Sequence, residues 1–165
     1  MVTQCTGTKT KAYIDRSKNI WFVKNNNYKL YSLFKKSREN LIELEQLIKQ
    51  NGRKFALLFM EGFFDAEGCV KVIKEEVRIT PKICLDITNT NFELIDLFRR
   101  ILEDNLNIPS KYSIQKPNGI KSKKVVYHLR IYKKEYIKIF LENISTTKLK
   151  EEKVIYVQNW LNNGK

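Results

Sequence analysis

The stretch Phe55–Gly68, FALLFMEGFFDAEG, decides the fold of this chain because it predicts a helix that is apolar on nearly every side. One face repeats apolar or small residues at helical spacing: Phe55, Leu58, Phe59, Gly62, Phe63 and Ala66. The other side carries Leu57, Met60 and Phe64. Such a helix must be buried on two sides, so it needs a partner beyond its own sheet. Gly62 and Ala66, about one turn apart, would let the backbone of a second helix come close.

The end of this helix carries two acids. Asp65 and Glu67 stand in the last turn, before Gly68, which is an expected helix stop. Carboxylates at this end face the negative pole of the helix dipole, which costs about 0.3 to 1 kcal/mol each. A divalent cation would compensate, because hard cations bind carboxylate and backbone carbonyl oxygens.

The segment Met60–Gly68, MEGFFDAEG, resembles the LAGLIDADG motif of homing endonucleases. Gly62, Asp65, Ala66 and Gly68 match that motif, and Glu67 stands where the family has its metal-binding acid. Met60 and Glu61 depart from the Leu and Ala of the motif. In that family the motif helices of two subunits, or of two repeats, pack together and bring two acidic ends to a central active site.

Composition favours a globular protein with a polyanionic partner. The 165 residues suffice for one domain with a core, and the net charge is +13. Nucleic acid is the first candidate partner and an acidic membrane surface the second. No apolar run approaches the roughly 20 residues that span a bilayer, and the N-terminus lacks the apolar core of a secretory signal. We therefore expect an intracellular protein that is neither secreted nor membrane-bound.

The cysteines do not predict a disulfide or a zinc site. Cys5, Cys69 and Cys84 are an odd number without a Cys-x-x-Cys pair, and His128 is the single histidine. This pattern is typical of reduced thiols inside a cell.

The chain divides into residues 1–50, a basic N-terminal arm with a helix, and residues 51–165, the domain that contains the motif. Residues 1–40 hold nine Lys or Arg against two acids, with aromatic residues between them. We interpret residues 1–31 as an arm that follows a nucleic-acid backbone; a poorly ordered basic terminus is the alternative. Leucines at helical spacing predict a helix of one or two segments over Ser32–Gln50.

Downstream of the motif the hydrophobic period alternates between that of strands and that of helices. Strands are predicted from Cys69 and over Arg78–Thr88, Lys111–Lys116 and Val125–Tyr132, and helices over Asn91–Asn105, Lys134–Asn143 and from Ser145–Thr147 onward. This order resembles the family's αββαββα subunit, an α+β fold with an antiparallel four-stranded saddle sheet. Because no second motif is present, the resemblance implies a homodimer joined through the motif helices. The residues expected at that helix contact are Leu57, Met60, Glu61, Gly62 and Phe64.

The resemblance also implies an activity, that of an intron-encoded endonuclease cutting a long pseudo-palindromic site in double-stranded DNA. It implies that Glu67 binds Mg²⁺ or Mn²⁺ in each subunit with help from the Ala66 carbonyl, while Asp65 supports the helix end. Lys150, or Lys148 instead, stands where the family has an active-site lysine, and Asn89 where it has a residue that positions solvent. Ordinary surface or cap roles are the alternative for the lysines and for Asn89.

Strand parity predicts which side chains contact DNA. The polar positions of the strands are Lys71, Arg78, Lys82, Asp86, Thr88, Lys111, Ser113, Gln115, His128 and Arg130. The hairpin tip adds Lys116, Lys121, Lys123 and Lys124, which suit phosphate contacts. A register error of one residue would move a whole strand's set to the opposite face.

Two other functions remain open from the sequence. An intron maturase of the same fold would bind structured RNA without cleaving DNA, and a DNA-binding regulator would lack catalysis. The acid at Glu67 favours the nuclease, because a retired site has no physical reason to keep a carboxylate where the dipole opposes it. Richness in Lys, Asn and Ile fits an AT-rich gene, with a chloroplast, a mitochondrion or archaeal cytoplasm as the expected location.

Overall fold

The computed structural model describes residues 12–18, 20–23, 39–73, 82–117, 123–148 and 151–162. Contacts within the chain group it into two units, residues 1–44 and 45–165. Among the described residues, no helix is long and apolar enough to cross a membrane.

The first unit contains an antiparallel hairpin that the sequence pattern did not predict. Its strands are β1 (Ala12–Asp15) and β2 (Ile20–Val23), with Tyr13 opposite Phe22. The Asp15 carboxylate holds the turn, accepting hydrogen bonds from the Ser17 N–H (3.1 Å) and the Ser17 hydroxyl (2.6 Å). Aromatic and β-branched residues on both sides of a polar turn favour this hairpin. Part of the predicted arm is therefore regular structure.

The remaining elements follow the predicted order. They are α1 (Leu41–Gln50), α2 (Gly52–Glu67), β3 (Gly68–Ile73), β4 (Lys82–Asn89), α3 (Phe92–Leu106), β5 (Lys111–Gln115), β6 (Val126–Ile131), α4 (Lys134–Asn143) and α5 (Glu151–Asn162). From α2 to α4 this is the αββαββα order, so the predicted α+β fold is confirmed. The last helix begins at Glu151, later than the predicted start at Ser145–Thr147.

The four strands form one antiparallel sheet in the order β3-β4-β6-β5. Strand β4 lies at the centre, with Leu85 opposite Val70 on β3 and Ile131 on β6. Helices α2, α3 and α4 pack on one face of this sheet. There Phe64 of α2 meets Phe140 of α4 edge to face, with 5.0 Å between ring centroids. The core therefore lies between the helices and the apolar side of β4.

Helix α3 is bounded by two asparagines. The Asn91 side chain accepts hydrogen bonds from the N–H groups of Glu93 (2.9 Å) and Leu94 (3.3 Å), which makes it the N-cap. Asn107 ends the helix in the left-handed conformation, with φ of 52°. These caps set where α3 starts and stops on the sheet.

Candidate functional site

Helix α2 runs into strand β3 without a loop. Glu67 is the last helical residue and is exposed, and the Gly68 N–H donates to the Phe64 carbonyl. Gly68 has φ of −89°, so it does not end the helix through a left-handed conformation. A Cβ at Gly68 would collide with the ring and carbonyl oxygen of Phe64, which only glycine avoids. The close approach to Phe64 therefore fixes the position of the acidic helix end.

Asp65 ties this helix end to the segment before α5. Its carboxylate accepts a hydrogen bond from the Thr146 hydroxyl (2.7 Å) and another from the Thr147 N–H (3.0 Å). Partial burial alone would raise the pKa of Asp65, but these hydrogen bonds and the charge of Lys148 outweigh it and lower the pKa. The structure thus brings Lys148 near Asp65, whereas Lys150 lies outside the described residues.

Asn89 ends strand β4 at the same end of the sheet, since Gly68 pairs with Ile87. Its side-chain oxygen accepts the Asn91 N–H at 2.8 Å and so stabilises the turn into α3. This contact is a turn-forming one, and a role in positioning solvent stays a prediction.

The oxygen donors at the end of α2 are of the type that a hard cation binds, but they are fewer than the ion needs. Glu67 contributes one exposed carboxylate, and a helix that ends there leaves carbonyls such as that of Ala66 without helical partners. Within the described part of the chain, no group of three His, Cys, Asp or Glu side chains could hold a metal ion. Mg²⁺ takes about six oxygens, so phosphates, water or a second chain would have to supply the others.

The face of the sheet away from the helices is polar, and the register confirms that the predicted strand residues share it. Asp86 lies opposite Arg130, which lies opposite Lys111, and Thr88, His128 and Ser113 form the next row. The members of this polar face are Lys71, Lys82, Asp86, Thr88, Lys111, Ser113, Gln115, His128 and Arg130. Contact with DNA by these residues stays a prediction, and Arg78 lies outside the described residues.

The hairpin tip beyond β5 is described in part. Lys116, Lys123 and Lys124 are exposed, as phosphate contacts require. Lys121 lies outside the described residues.

A network of charged and polar groups is centred on Asp86, which is 1% exposed. Lys71 pairs with one carboxylate oxygen, and Arg130 Nε lies 3.3 Å from the other. His128 Nδ1 is 3.1 Å from that second oxygen, and His128 Nε2 is 3.0 Å from Gln115 Oε1. Burial alone would raise the pKa of Asp86, but the Lys71 and His128 hydrogen bonds and the Arg130 charge lower it below its usual value.

This burial corrects the expectation that Asp86 itself contacts a base. Its carboxylate is enclosed because Lys71, His128 and Arg130 all lie against it. His128 is also largely buried, at 8% exposure, so the open side of the network is formed by other side chains. Asp86 and His128 therefore organise the polar face from beneath.

Tyr132 extends the polar face and was not among the predicted site residues. It follows β6 on the side of Arg130, is 42% exposed, and lies under the Lys82 ammonium at 5.0 Å from the ring centroid. Strand parity from His128 through Arg130 was the signal that could have included it.

The structure corrects which residues of α2 are free to contact a second helix. Met60 and Phe64 were expected at a helix–helix contact, but both are 0% exposed, because they pack on the sheet in the core. Leu57 and Glu61 are half-buried, and Gly62 is exposed. A Cβ added at Gly62 would meet no atom of the described residues within 4 Å. The open side of α2 is therefore the stripe Leu58, Gly62 and Ala66.

A scan against family models matches residues 54–145 to the LAGLIDADG-like domain. The chain belongs to this family. The matched residues run from α2 through α4, so they include the acidic helix end and the whole four-stranded sheet. No curated protein matches this chain.

A solved structure shares the fold at low sequence identity. Mesophilic variants of the homing endonuclease I-DmoI are 20% identical with a TM-score of 0.56, covering 87% of this chain and 66% of theirs. This chain thus spans just under two thirds of that chain. The LAGLIDADG meganuclease I-AabMI bound to uncleaved DNA is 17% identical with a TM-score of 0.37, covering 65% and 44% respectively.

Proposed function

We propose that this chain is a sequence-specific endonuclease of double-stranded DNA that acts as a homodimer with Mg²⁺. The observation that carries the proposal is the exposed carboxylate of Glu67, placed by the Gly68–Phe64 contact at one end of the polar face. The fold shared with I-DmoI, a homing endonuclease, supports it.

The position of Glu67 favours cleavage over the maturase alternative. An acid in the last turn of a helix opposes the helix dipole, so it needs a compensating positive charge. In a nuclease Glu67 would hold a metal ion that supplies this charge, whereas RNA binding alone does not require one.

The homodimer is supported by Gly62. A glycine inside a helix lowers stability by about 0.5 to 1 kcal/mol relative to alanine, and nothing in the described structure occupies the space of its side chain. The reason for glycine then lies outside the residues that the structure describes, and we infer that a second chain supplies it. Together with the exposed Leu58 (47%), it suits the close approach of a second α2 helix.

The donors at the helix end are also compatible with two copies. The described residues offer one carboxylate and one carbonyl there, and a twofold axis between α2 helices would bring two Glu67 side chains together around Mg²⁺. Mg²⁺ bound there would supply the charge that activates water and stabilises the leaving 3′ oxygen.

The remaining roles belong to this chain's own residues. Asp65 holds the Thr146–Lys148 segment, so that a lysine, Lys148 or Lys150, stands near the reacting phosphate. The polar face lies in the major groove, where the edges of base pairs are distinguishable. A twofold protein reads a target that is close to palindromic.

Cleavage of a randomised duplex library with Mg²⁺ tests the activity. We expect wild type to cut one long, nearly palindromic sequence, and Glu67→Gln to bind that sequence without cutting it. Glu142→Gln on α4 makes the same change in an exposed surface pair and should leave cleavage intact. Equal cleavage by wild type and Glu67→Gln would contradict the role of Glu67, and absence of cutting by wild type would contradict the activity.

Sedimentation equilibrium tests the dimer. Gly62→Gln fills space that is open in the single chain, so the subunit should fold but no longer pair or cut. Gly62→Ala adds one methyl group and should weaken pairing less. A wild-type protein that stays monomeric at micromolar concentration, with and without DNA, would rule out the homodimer.

A further inference from the structure

The buried acid Asp86 is connected to an exposed glutamine through the only histidine of the chain. His128 Nδ1 lies 3.1 Å from Asp86 Oδ1, and His128 Nε2 lies 3.0 Å from the Gln115 side-chain oxygen. Gln115 is exposed at the end of β5, so it is the member of this relay that can touch a ligand.

The first step concerns the proton on His128. Asp86 is ionised, because its partners lower its pKa, and its carboxylate is fully buried. A lone pair on Nδ1 would face this anionic oxygen without intervening water. Arg130 Nη2 also approaches Nδ1, at 3.2 Å, but the same guanidinium reaches Asp86 directly through Nε at 3.3 Å. The charge-assisted bond to the carboxylate is the stronger, so Nδ1 carries the proton.

The second step concerns the Gln115 amide. The Arg130 guanidinium, 3.2 Å from Nδ1, places a positive charge beside the ring and so favours a ring with a single proton. A ring protonated on Nδ1 alone has its lone pair on Nε2, which is an acceptor. The Gln115 amide oxygen would be repelled by this lone pair. Rotating the amide by 180° exchanges its oxygen and nitrogen with almost no change of shape and removes the repulsion. One Gln115 N–H then donates to His128. The amide oxygen and the second N–H are left on the open side of the sheet.

We propose that Gln115 is a specificity-determining residue that reads an adenine in each half of the target, and that Asp86 and His128 are positioning residues that set its orientation. An acceptor beside a donor matches the N6 amino group and N7 of adenine in the major groove. The opposite orientation would present two donors, which match guanine. This inference rests on the proposed DNA-binding function and names one reading residue within it.

The tautomer can be measured without DNA. Because His128 is the only histidine, ¹⁵N NMR of the imidazole reports its two nitrogens without assignment. We expect Nδ1–H and an unprotonated Nε2. In the Asp86→Asn variant the asparagine oxygen should accept from Lys71, which turns the asparagine N–H toward His128 Nδ1. Nδ1 must then accept, so the proton of the ring should move to Nε2. A wild-type ring protonated on Nε2, or on both nitrogens, would overturn the proposal.

Base preference is measured by selecting bound sequences from a randomised duplex pool. Wild type should prefer adenine roughly tenfold or more at one position per half-site. Gln115→Met should lose that preference alone, and Asp86→Asn should change it toward guanine. In the double variant, Asp86→Asn should have no further effect at that position. Ile114→Met, on the opposite face of the same strand, is the matched control and should keep the wild-type profile.

The outcomes separate this inference from the proposed function. If wild type selects a defined sequence and Gln115→Met selects the same one, the reading role is wrong and the DNA-binding function stands. If wild type selects no duplex sequence, the proposed function fails and the reading role fails with it. The wild-type NMR spectrum and the exposed Gln115→Met variant decide the question even if Asp86→Asn does not fold.

Discussion

Strand β4 is buried on both of its faces, but the two faces are buried by different means. Ile83, Leu85 and Ile87 point into a core covered by helices, whereas Asp86 on the other side is covered by Lys71, Arg130 and His128. Apolar contacts on the first face hold the subunit together. We expect the ion pairs on the second face to contribute less to folding and to position the side chains of the polar face instead. Residues on the two faces of β4 are thus equally buried, but we expect them to contribute differently to stability.

The largest expected effect comes from opening the apolar face. Leu85→Ala should lower the free energy of unfolding by about 2 to 5 kcal/mol, because it removes buried contacts and leaves a cavity. Ile114→Ala, at a site 57% exposed on the uncovered edge strand, is the control and should change it by less than about 1 kcal/mol. Urea denaturation measures both. Equal losses would mean that the two sites are equally packed.

A smaller loss is expected on the polar face. Asp86→Ala should cost about 1 to 3 kcal/mol, because it deprives Lys71 and Arg130 of their shared counter-charge. These side chains are 45% and 35% exposed, so they can turn toward water, which limits the loss. Glu142→Ala, which removes an exposed pair with Lys138, is the comparison and should cost under about 1 kcal/mol. A loss at Asp86 larger than at Leu85 would reverse the ranking of the faces.

Acid should weaken the polar face selectively. The pKa of Asp86 is lower in the folded chain than its usual 3.8, so ionised Asp86 stabilises the fold at neutral pH. That contribution is complete above the unfolded pKa and is lost as pH falls through the lower folded pKa, a window below about pH 4. Unfolding free energies measured across this range should fall less steeply in Asp86→Asn. Parallel curves for the two proteins would contradict the expectation.

The smallest of these losses of stability is expected from Lys71→Met. It leaves one oxygen of the buried Asp86 carboxylate without its cation, which should cost about 1 kcal/mol, while Arg130 and His128 still contact the other oxygen. Duplex binding should nevertheless become less salt-dependent, with the slope of log K against log salt reduced by about 1 per subunit. Lys138→Met on α4 lies off the polar face and should leave the slope unchanged. A stability loss without a change of slope would assign Lys71 to the fold alone.

Much of the fold followed from periodicity. Alternation along β4 and β6 correctly grouped Asp86, Thr88, His128 and Arg130 on one face, because a strand's side-chain period does not depend on its partners. Helix α4 was predicted with its observed bounds, Lys134–Asn143. The candidate site was harder to predict. The motif singles out Glu67, whose role stays a prediction, but the hydrogen bond between Asp65 and Thr146 joins residues far apart in sequence.

Two predictions were wrong because the hydrophobic pattern of the sequence does not record tertiary neighbours. Met60 and Phe64 were assigned to a helix contact because an all-apolar helix does not reveal which stripe faces its own sheet. Asp86 was expected to reach out of the sheet because a polar side chain in a strand carries no sign of being enclosed. Both depend on which neighbours arrive from other parts of the chain.

The sequence by itself determined the order of helices and strands, the family, the acidic helix end and the polar side of each strand. These depend on local spacing and side-chain chemistry. Only the tertiary structure decided that Gly68 is required by Phe64, that Gly62 meets no side chain among the described residues, and that the buried Asp86 carboxylate contacts Lys71, His128 and Arg130. These depend on strand register and on packing between distant segments, which bring together groups that spacing along one chain does not relate.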